Sequence, residues 1–432
     1  AVRAAAASLT LCRRVCAGTG KARRSMTDSS LAASRTPLAL DLMTRFVVRI
    51  GKRLITSQPA GALLIILPNG QRVSFGNERP YDVILTLKNY RVLRKSIRRG
   101  ALGFAESYLD GDVDCSDLVG LFRFVLRNQA PSGNSGRSLF RASVMDRIGH
   151  FHRRNTRQGS QRNITEHYDL GNAFFETWLD DLMIYSSALY EGDTTTLEDA
   201  QEAKLHAILD ALQLEPGMSV LEIGAGWGAL ARAAARDRGV SVRGITLSHE
   251  QLAHARARAK AEGLEGRVRF DLEDYRDTDG RYDRIVSIEM IEALGEQNWP
   301  HYFQTLHDRL KPGGAATLQA ITIGEEHFET YQREPDFIQR YIFPGGMLPT
   351  KTILVDQAEA AGFRYEPVLE FGGSYARTLE EWRARFEAAW PEIEALGFDD
   401  RFRRKWRYYL AYCEAGFLEG SIDVGLYRLT RA

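Results

Sequence analysis

From residue 219 onward the chain alternates two kinds of segment, and that alternation constrains the fold more than any other feature. Strand-like apolar runs lie at 219–224, 241–247, 268–272, 282–290 and 315–323, with helical segments between them. Repeated strand–helix–strand units imply right-handed crossovers, hence a parallel sheet with helices on both faces. The class is therefore α/β. The helical segment before the first strand, TTTLEDAQEAKLHAILDALQL, offers Thr196 as an N-cap.

The first strand runs into VLEIGAGWGALA, residues 220–231. Glycines there let backbone approach a ligand that a Cβ would block. A phosphate loop would need Gly-Lys-Ser/Thr, which is absent. A dinucleotide site would want G-x-G-x-x-G and an acid ending the next strand. Here Gly224, Gly226 and Gly228 are spaced G-x-G-x-G, the next strand ends in GITLSHEQ, and the acid, Glu222, precedes the first glycine. This pattern looks like the S-adenosylmethionine loop of class I methyltransferases. A tight strand-to-helix turn with no ligand is the bland alternative.

A length of 432 residues is comfortable for two domains. Ahead of the alternating region, residues 38–56 show helical spacing of apolar positions. GALLIILPNGQRVSF reads as a hairpin about Asn69-Gly70, YDVILTLKN as a strand, and the following segment as helices broken at glycines. Residues 26–130 thus read as a small N-terminal α+β accessory domain. Residues 1–25 carry basic residues, alanine and serine but no acid, and Met26 is the first methionine. They read as an extension or a targeting segment. Between 121 and 162 nine arginines face one acid, Asp146, with Phe140, Met145, Ile148 and Phe151 interleaved. Residues 131–162 are therefore a basic linker, either solvated or lying on anionic lipid. A net charge of +1 does not argue for nucleic acid. Four scattered cysteines have no metal-ligand spacing, so no metal is expected and a reducing, intracellular setting fits. No apolar run has the length of a membrane span.

A closer resemblance emerges from motifs taken in order: EHYDLGNAFFETWLDDLMIYSSALY, VLEIGAGWGALA, GITLSHEQ, EDYRD, YDRIVSIEMIEALG, FPGGMLPT, EFGGSYARTLEEW and YYLAYC. Together they resemble the cyclopropane fatty acid synthase family of S-adenosylmethionine-dependent methyltransferases, over residues 163–432. The resemblance implies a class I, Rossmann-like domain with a mostly parallel seven-stranded sheet. It also implies methyl transfer to the cis double bond of an unsaturated acyl chain in a membrane phospholipid. The expected setting is cytoplasmic and peripheral to the bilayer, and a homodimer is a candidate assembly.

An alkene is a weak nucleophile, so positioning against an electrophilic methyl carries much of the catalysis. The resulting carbocation needs aromatic faces, a dry site and a base. A proton lost from the new methyl closes a cyclopropane; one lost from chain carbon leaves a methyl-branched or methylene olefin. In the family the base is thought to be bicarbonate, which makes that ion a second candidate cofactor. The resemblance maps its site onto Glu292, Tyr375, Ile321, Ser187 and Gln319. Ser187 and Gln319 stand where the best-known members have cysteine and histidine; both can still donate hydrogen bonds to an anion. Glu289 is the rival acid to Glu292, with facing solvent or holding the helix as its bland roles. For the cofactor, the resemblance implies Tyr168, Ser186, Thr246, Leu247, Gln251, Asp274 and Tyr275 beside Gly224 and Gly226. Trp227 could roof the methionine end or pack in the core. Cys413 and His167 read as structural. Cyclopropane formation is the expected activity. A methyl-branched product, a non-catalytic lipid-binding protein that kept the fold and a small-molecule methyltransferase are the alternatives.

Overall fold

The computed structural model describes residues 44–45, 47–49, 60–76, 80–128, 170–193 and 195–431. The segment 1–25, the linker 131–162, His167 and Tyr168 lie outside the described residues.

The hairpin predicted about Asn69-Gly70 forms β1 (Ala62–Ile66) and β2 (Arg72–Gly76), paired antiparallel. β3 (Val83–Leu87) pairs parallel with β1, and β4 (Val113–Cys115) closes the order β2-β1-β3-β4. The helix Arg91–Leu109 breaks where Gly100 leaves helical geometry (φ 60, ψ −134), so one of the glycine breaks read from the sequence is real. The helix Leu118–Asn128 follows.

The second sheet has seven strands: β5 (Ser219–Ile223), β6 (Ser241–Thr246), β7 (Val268–Leu272), β8 (Tyr282–Ile288), β9 (Leu310–Ile323), β10 (Phe363–Glu370) and β11 (Ile422–Arg431). Their order is β10-β11-β9-β8-β5-β6-β7. β7, β6, β5, β8 and β9 are mutually parallel; β11 runs antiparallel to β9 and to β10. The mostly parallel α/β sheet expected from the alternation is present. β5 has β6 on one side and β8 on the other, so the winding reverses there. A crevice at the carboxyl ends of strands flanking such a reversal is where open α/β sheets bind ligands.

Two boundaries differ from the sequence reading. β8 stops at Ile288, not at 290, because Glu289 turns into the left-handed region at φ 49. β9 begins at Leu310 rather than 315: Leu310 already pairs with Tyr282, and an irregular stretch with Gly313 at φ 72 precedes the Arg284–Ala315 pair. β10 and β11 carry no clear alternation and were not foreseen. Thr196 is the N-cap anticipated: its side chain accepts from the Asp199 N–H, and Asp199 reciprocates.

Aromatic packing ties the helix Asp400–Leu418 to both layers. Phe174, fully buried, packs edge-on against Trp178, Phe386, Phe402 and Trp406 at 5.1–6.4 Å. On the opposite side of that helix, Phe122 meets Tyr408 edge-on at 4.9 Å. Arg404 donates to Asp114 at 2.6 Å, while Arg123 and Arg127 both reach Glu419. Removing the central ring leaves a cavity among rings that cannot collapse. Phe174→Ala should lower unfolding free energy by about 3–5 kcal/mol in denaturant titration; a loss under about 1 kcal/mol would mean that the cluster is not a core.

Candidate active site

The strand-to-helix turn after β5 forms one wall of the site. Gly224, Gly226 and Gly228 have φ of 81, 52 and 84, all in the left-handed half of the map. Their reasons differ. A Cβ on Gly228 would lie 2.6 Å from the Phe270 ring and 2.9 Å from Ala255, so this glycine permits the helix Ala229–Arg238 to close on the sheet. A Cβ on Gly226 would meet nothing within 4 Å; it would stand in open space, where a ligand could lie against bare backbone. Glu222, the last residue but one of β5, is buried, with Oε2 lacking a protein partner among the described residues, and burial pushes its carboxyl up to about 8. An acid with one unpartnered oxygen, its carboxyl otherwise bonded to the Ala231 backbone, beside a glycine turn suits a ligand carrying an ammonium group. The residues present fit S-adenosylmethionine.

One cavity of about 1410 Å³ contains this turn and extends well beyond it. Drug-sized ligands fill pockets of roughly 300–1,000 Å³, so the space exceeds one cofactor. Among the expected cofactor residues, Ser186, Gly224, Gly226, Trp227, Thr246, Leu247, Gln251, Asp274 and Tyr275 all line it. Several are already engaged. The Asp274 carboxylate accepts from Arg276 at 2.6 and 2.8 Å and caps the short helix Tyr275–Asp277. Thr246 donates to Gln251 at 2.9 Å. Trp227 is both core and wall: its ring packs 5.2 Å from Phe175 and its N–H donates to Asn172 at 2.8 Å.

The expected catalytic residues gather, but around a different acid. Glu289 Oε1 accepts from the Ser187 backbone N–H at 2.9 Å and from Gln319 Nε2 at 2.7 Å; its Oε2 accepts from the Tyr375 hydroxyl at 2.7 Å. The Ser187 hydroxyl instead donates to the Ala188 carbonyl, so the backbone rather than the side chain serves the site. Glu292, one helical turn on, is held by the Ile321 backbone N–H, and its Oε2 has no protein partner among the described residues. Both glutamates line the cavity. Both acids are raised, by different balances of causes. Burial, then the charge of Glu289, raises Glu292 to about 8. Burial also raises Glu289, but its three donors favour the ionised form.

These bonds decide whether bicarbonate fits. Ser187, Gln319 and Tyr375, which would cradle it, are committed to the Glu289 carboxylate, and a second anion on those donors would compete with that carboxylate. The residues present do not fit bicarbonate. Tyr185, Tyr375, Tyr409 and Phe417 give the same region aromatic walls, with Tyr375 stacked 4.5 Å from Phe417. Cys413 lines the cavity too, its thiol pushed up by burial.

Lys204 escaped the sequence reading. It is fully buried, donates to Ser186 Oγ at 2.8 Å, and is lowered to about 8 by burial, while the charges of Glu289, Asp180 and Glu222 oppose that fall. A signal existed: 197, 201, 204, 208 and 211 form one helical stripe, and all five residues are buried. Among the described residues no group of acids, histidines and cysteines could hold a metal.

The Glu292 shift has a consequence for stability. The native state holds this proton more tightly than the unfolded chain, whose carboxyl titrates near 4.5. Its contribution is therefore complete below about 4.5 and is lost as pH rises through about 8. Glu292→Gln should gain stability relative to wild type between pH 5 and pH 8 in denaturant titrations; parallel pH profiles would contradict the raised acid.

Comparison with known proteins identifies the family. The family model described as mycolic acid cyclopropane synthetase matches residues 155–426. Tuberculostearic acid methyltransferase UfaA1 of Mycobacterium tuberculosis is 39% identical over 424 residues, covering 93% of this chain and 92% of the relative. Cyclopropane-fatty-acyl-phospholipid synthase of Escherichia coli is 39% identical over 358 residues, covering 82% of this chain and 88% of the relative. Among solved structures, mycolic acid cyclopropane synthase CmaA1 complexed with SAH and CTAB superposes with a TM-score of 0.58 at 32% identity, covering 63% of this chain and 98% of that one. The chain belongs to the mycolic acid cyclopropane synthetase family and is an S-adenosylmethionine-dependent methyltransferase.

Proposed function

We propose that the chain transfers a methyl group from S-adenosylmethionine to the double bond of an unsaturated fatty acyl chain carried by a membrane phospholipid. The observation that carries this is the continuity of the cavity. The same cavity is lined by the glycine turn, by Glu289 and Glu292, and by Leu63, Ile65, Leu87, Leu121 and Phe124, apolar side chains of the four-stranded sheet and its helix. A long apolar substrate would find apolar wall on one side and the methyl donor on the other. The bound cofactor supplies an electrophilic methyl on a sulfonium. The glycine backbone and Glu222 hold the donor, aromatic walls accommodate positive charge on the chain, and the apolar lining keeps water out. The E. coli relative's name supports the phospholipid carrier.

Lipid contact has support in the described residues as well, since the basic linker is outside them. At the cavity mouth the helix Arg91–Leu109 exposes Arg94, Ile97 and Arg98, with Ile97 52% exposed. An apolar residue between two cations suits an anionic headgroup layer. Among the described residues no helix is long and apolar enough to cross a membrane, so contact would be peripheral.

A cyclopropane product is favoured only as the commoner activity of the family that the sequence resembles. One observation favours the methyl-branched alternative: the relative matched over nearly the whole chain is named a tuberculostearic acid methyltransferase. Incubation with S-adenosylmethionine and vesicles of a monounsaturated phospholipid, followed by mass spectrometry of released fatty acids, tests both. A gain of one CH2 is expected; a lost double bond means ring closure, and a retained one means branching. No gain on any unsaturated lipid would contradict the proposal. In vesicle sedimentation, the combined variant Arg94→Glu, Ile97→Glu, Arg98→Glu should bind anionic vesicles roughly tenfold or more weakly, with cofactor affinity unchanged; unaltered binding would remove this face from the membrane contact.

A further inference from the structure

Three separate elements contribute a donor to Glu289: the loop bearing Ser187, strand β9 through Gln319, and the helix Gly372–Ala388 through Tyr375. The backbone at Glu289 is itself unusual. Non-glycine residues at positive φ cost of order 1 kcal/mol or more and concentrate at functional sites. Among the described residues only Met183 and Gln213 share that conformation. Glu289 thus bears a conformational cost, a desolvation cost and a convergent donor set, and it opens on the cavity between the glycine turn and the apolar channel. Oε1 accepts two bonds and Oε2 one, which leaves Oε2 room to take a proton from a group in the cavity.

We infer that Glu289 is the base of the reaction: its carboxylate stands where an external anion would be held, and the enzyme works without bicarbonate. This rests on the methyl-transfer reading above. The alkene π pair forms the new bond to the methyl carbon, the old C–S pair stays on sulfur, and a chain carbon is left positive. Glu289 then takes a proton either from the newly added methyl or from a chain carbon next to the cation. The released C–H pair becomes the third ring bond, or a new double bond. The proton passes from the carboxyl to water once product has left. Gln319 and Tyr375 act as positioning residues, fixing the carboxylate without touching the reacting carbons.

The first test is titration of the full chain with carbon-13 bicarbonate, followed by NMR. Wild type should show no saturable binding, because its donors are occupied. Glu289→Gly, which suits a positive φ, should bind the ion in the vacated pocket. In turnover assays wild type should be indifferent to removal of carbon dioxide from the buffer. Glu289→Gln should lower kcat by roughly 10²-fold or more with cofactor affinity within a few-fold. Added bicarbonate or formate should restore part of the rate to Glu289→Gly, a rescue that a merely structural role would not produce. Saturable bicarbonate binding or dependence in wild type would overturn the inference. So would full turnover by Glu289→Gln, or a folded Glu289→Gly that neither binds nor is rescued by small anions. A wild type with no turnover on any lipid would overturn the acyl reading instead, and the titration would still decide the anion site.

Discussion

Three carboxylates surround one cavity, Glu222 buried and Glu289 and Glu292 half-buried, and among the described residues that line it Lys204 is a buried cation. Buried charge is costly unless it is paired, bonded or neutralised. Each acid meets that cost differently. Glu289 is ringed by donors, Glu292 shifts toward its neutral form, and Glu222, which shifts the same way, keeps an unpartnered oxygen beside the glycine turn. Replacing them by apolar residues would give a more ordinary core. The cluster makes chemical sense as a site that holds a cationic donor at one end and removes a proton at the other.

The fold explains why these groups can meet. Glu222 and the glycine turn leave the carboxyl end of β5; Glu289 and Glu292 leave that of β8; the two strands are neighbours across the reversal of winding. Gln319 comes from β9, the next strand along, and its backbone carbonyl accepts from the Glu289 N–H at 2.8 Å. The anion site is therefore anchored by a sheet bond as well as by side chains. The helix Asp400–Leu418 holds the smaller sheet against this end of the larger one, so apolar side chains of the smaller sheet complete the cavity that the larger sheet opens.

Much of this was legible in the residues. Period and turn chemistry located β1, β2, β3 and the parallel strands, and glycine spacing pointed to the cofactor turn. Ordered motifs brought Ser187, Gln319, Ile321 and Tyr375 to one place, where the structure also gathers them. What they gather around was not legible. IVSIEMIE offers two acids three residues apart, and only the left-handed turn at Glu289, a tertiary outcome, swings the first of them toward the donors. Lys204 was hidden because a lysine in an amphipathic helix ordinarily faces water. The edge strands β10 and β11 were missed because neither alternates cleanly; β10 is exposed at most positions and β11 is buried on both faces in its middle.

The central claim is that one cavity brings a methyl donor, an acyl double bond and Glu289 together. A crystal structure of the full chain with S-adenosylhomocysteine and a monounsaturated phospholipid tests it most directly. The account predicts the cofactor against Gly226 and Glu222, the acyl chain running toward Leu63 and Leu121, and the double bond between the sulfur and Glu289, with no separate anion on Ser187, Gln319 and Tyr375. A chain entering elsewhere, or a bicarbonate ion seated on those three donors with Glu289 displaced, would contradict it.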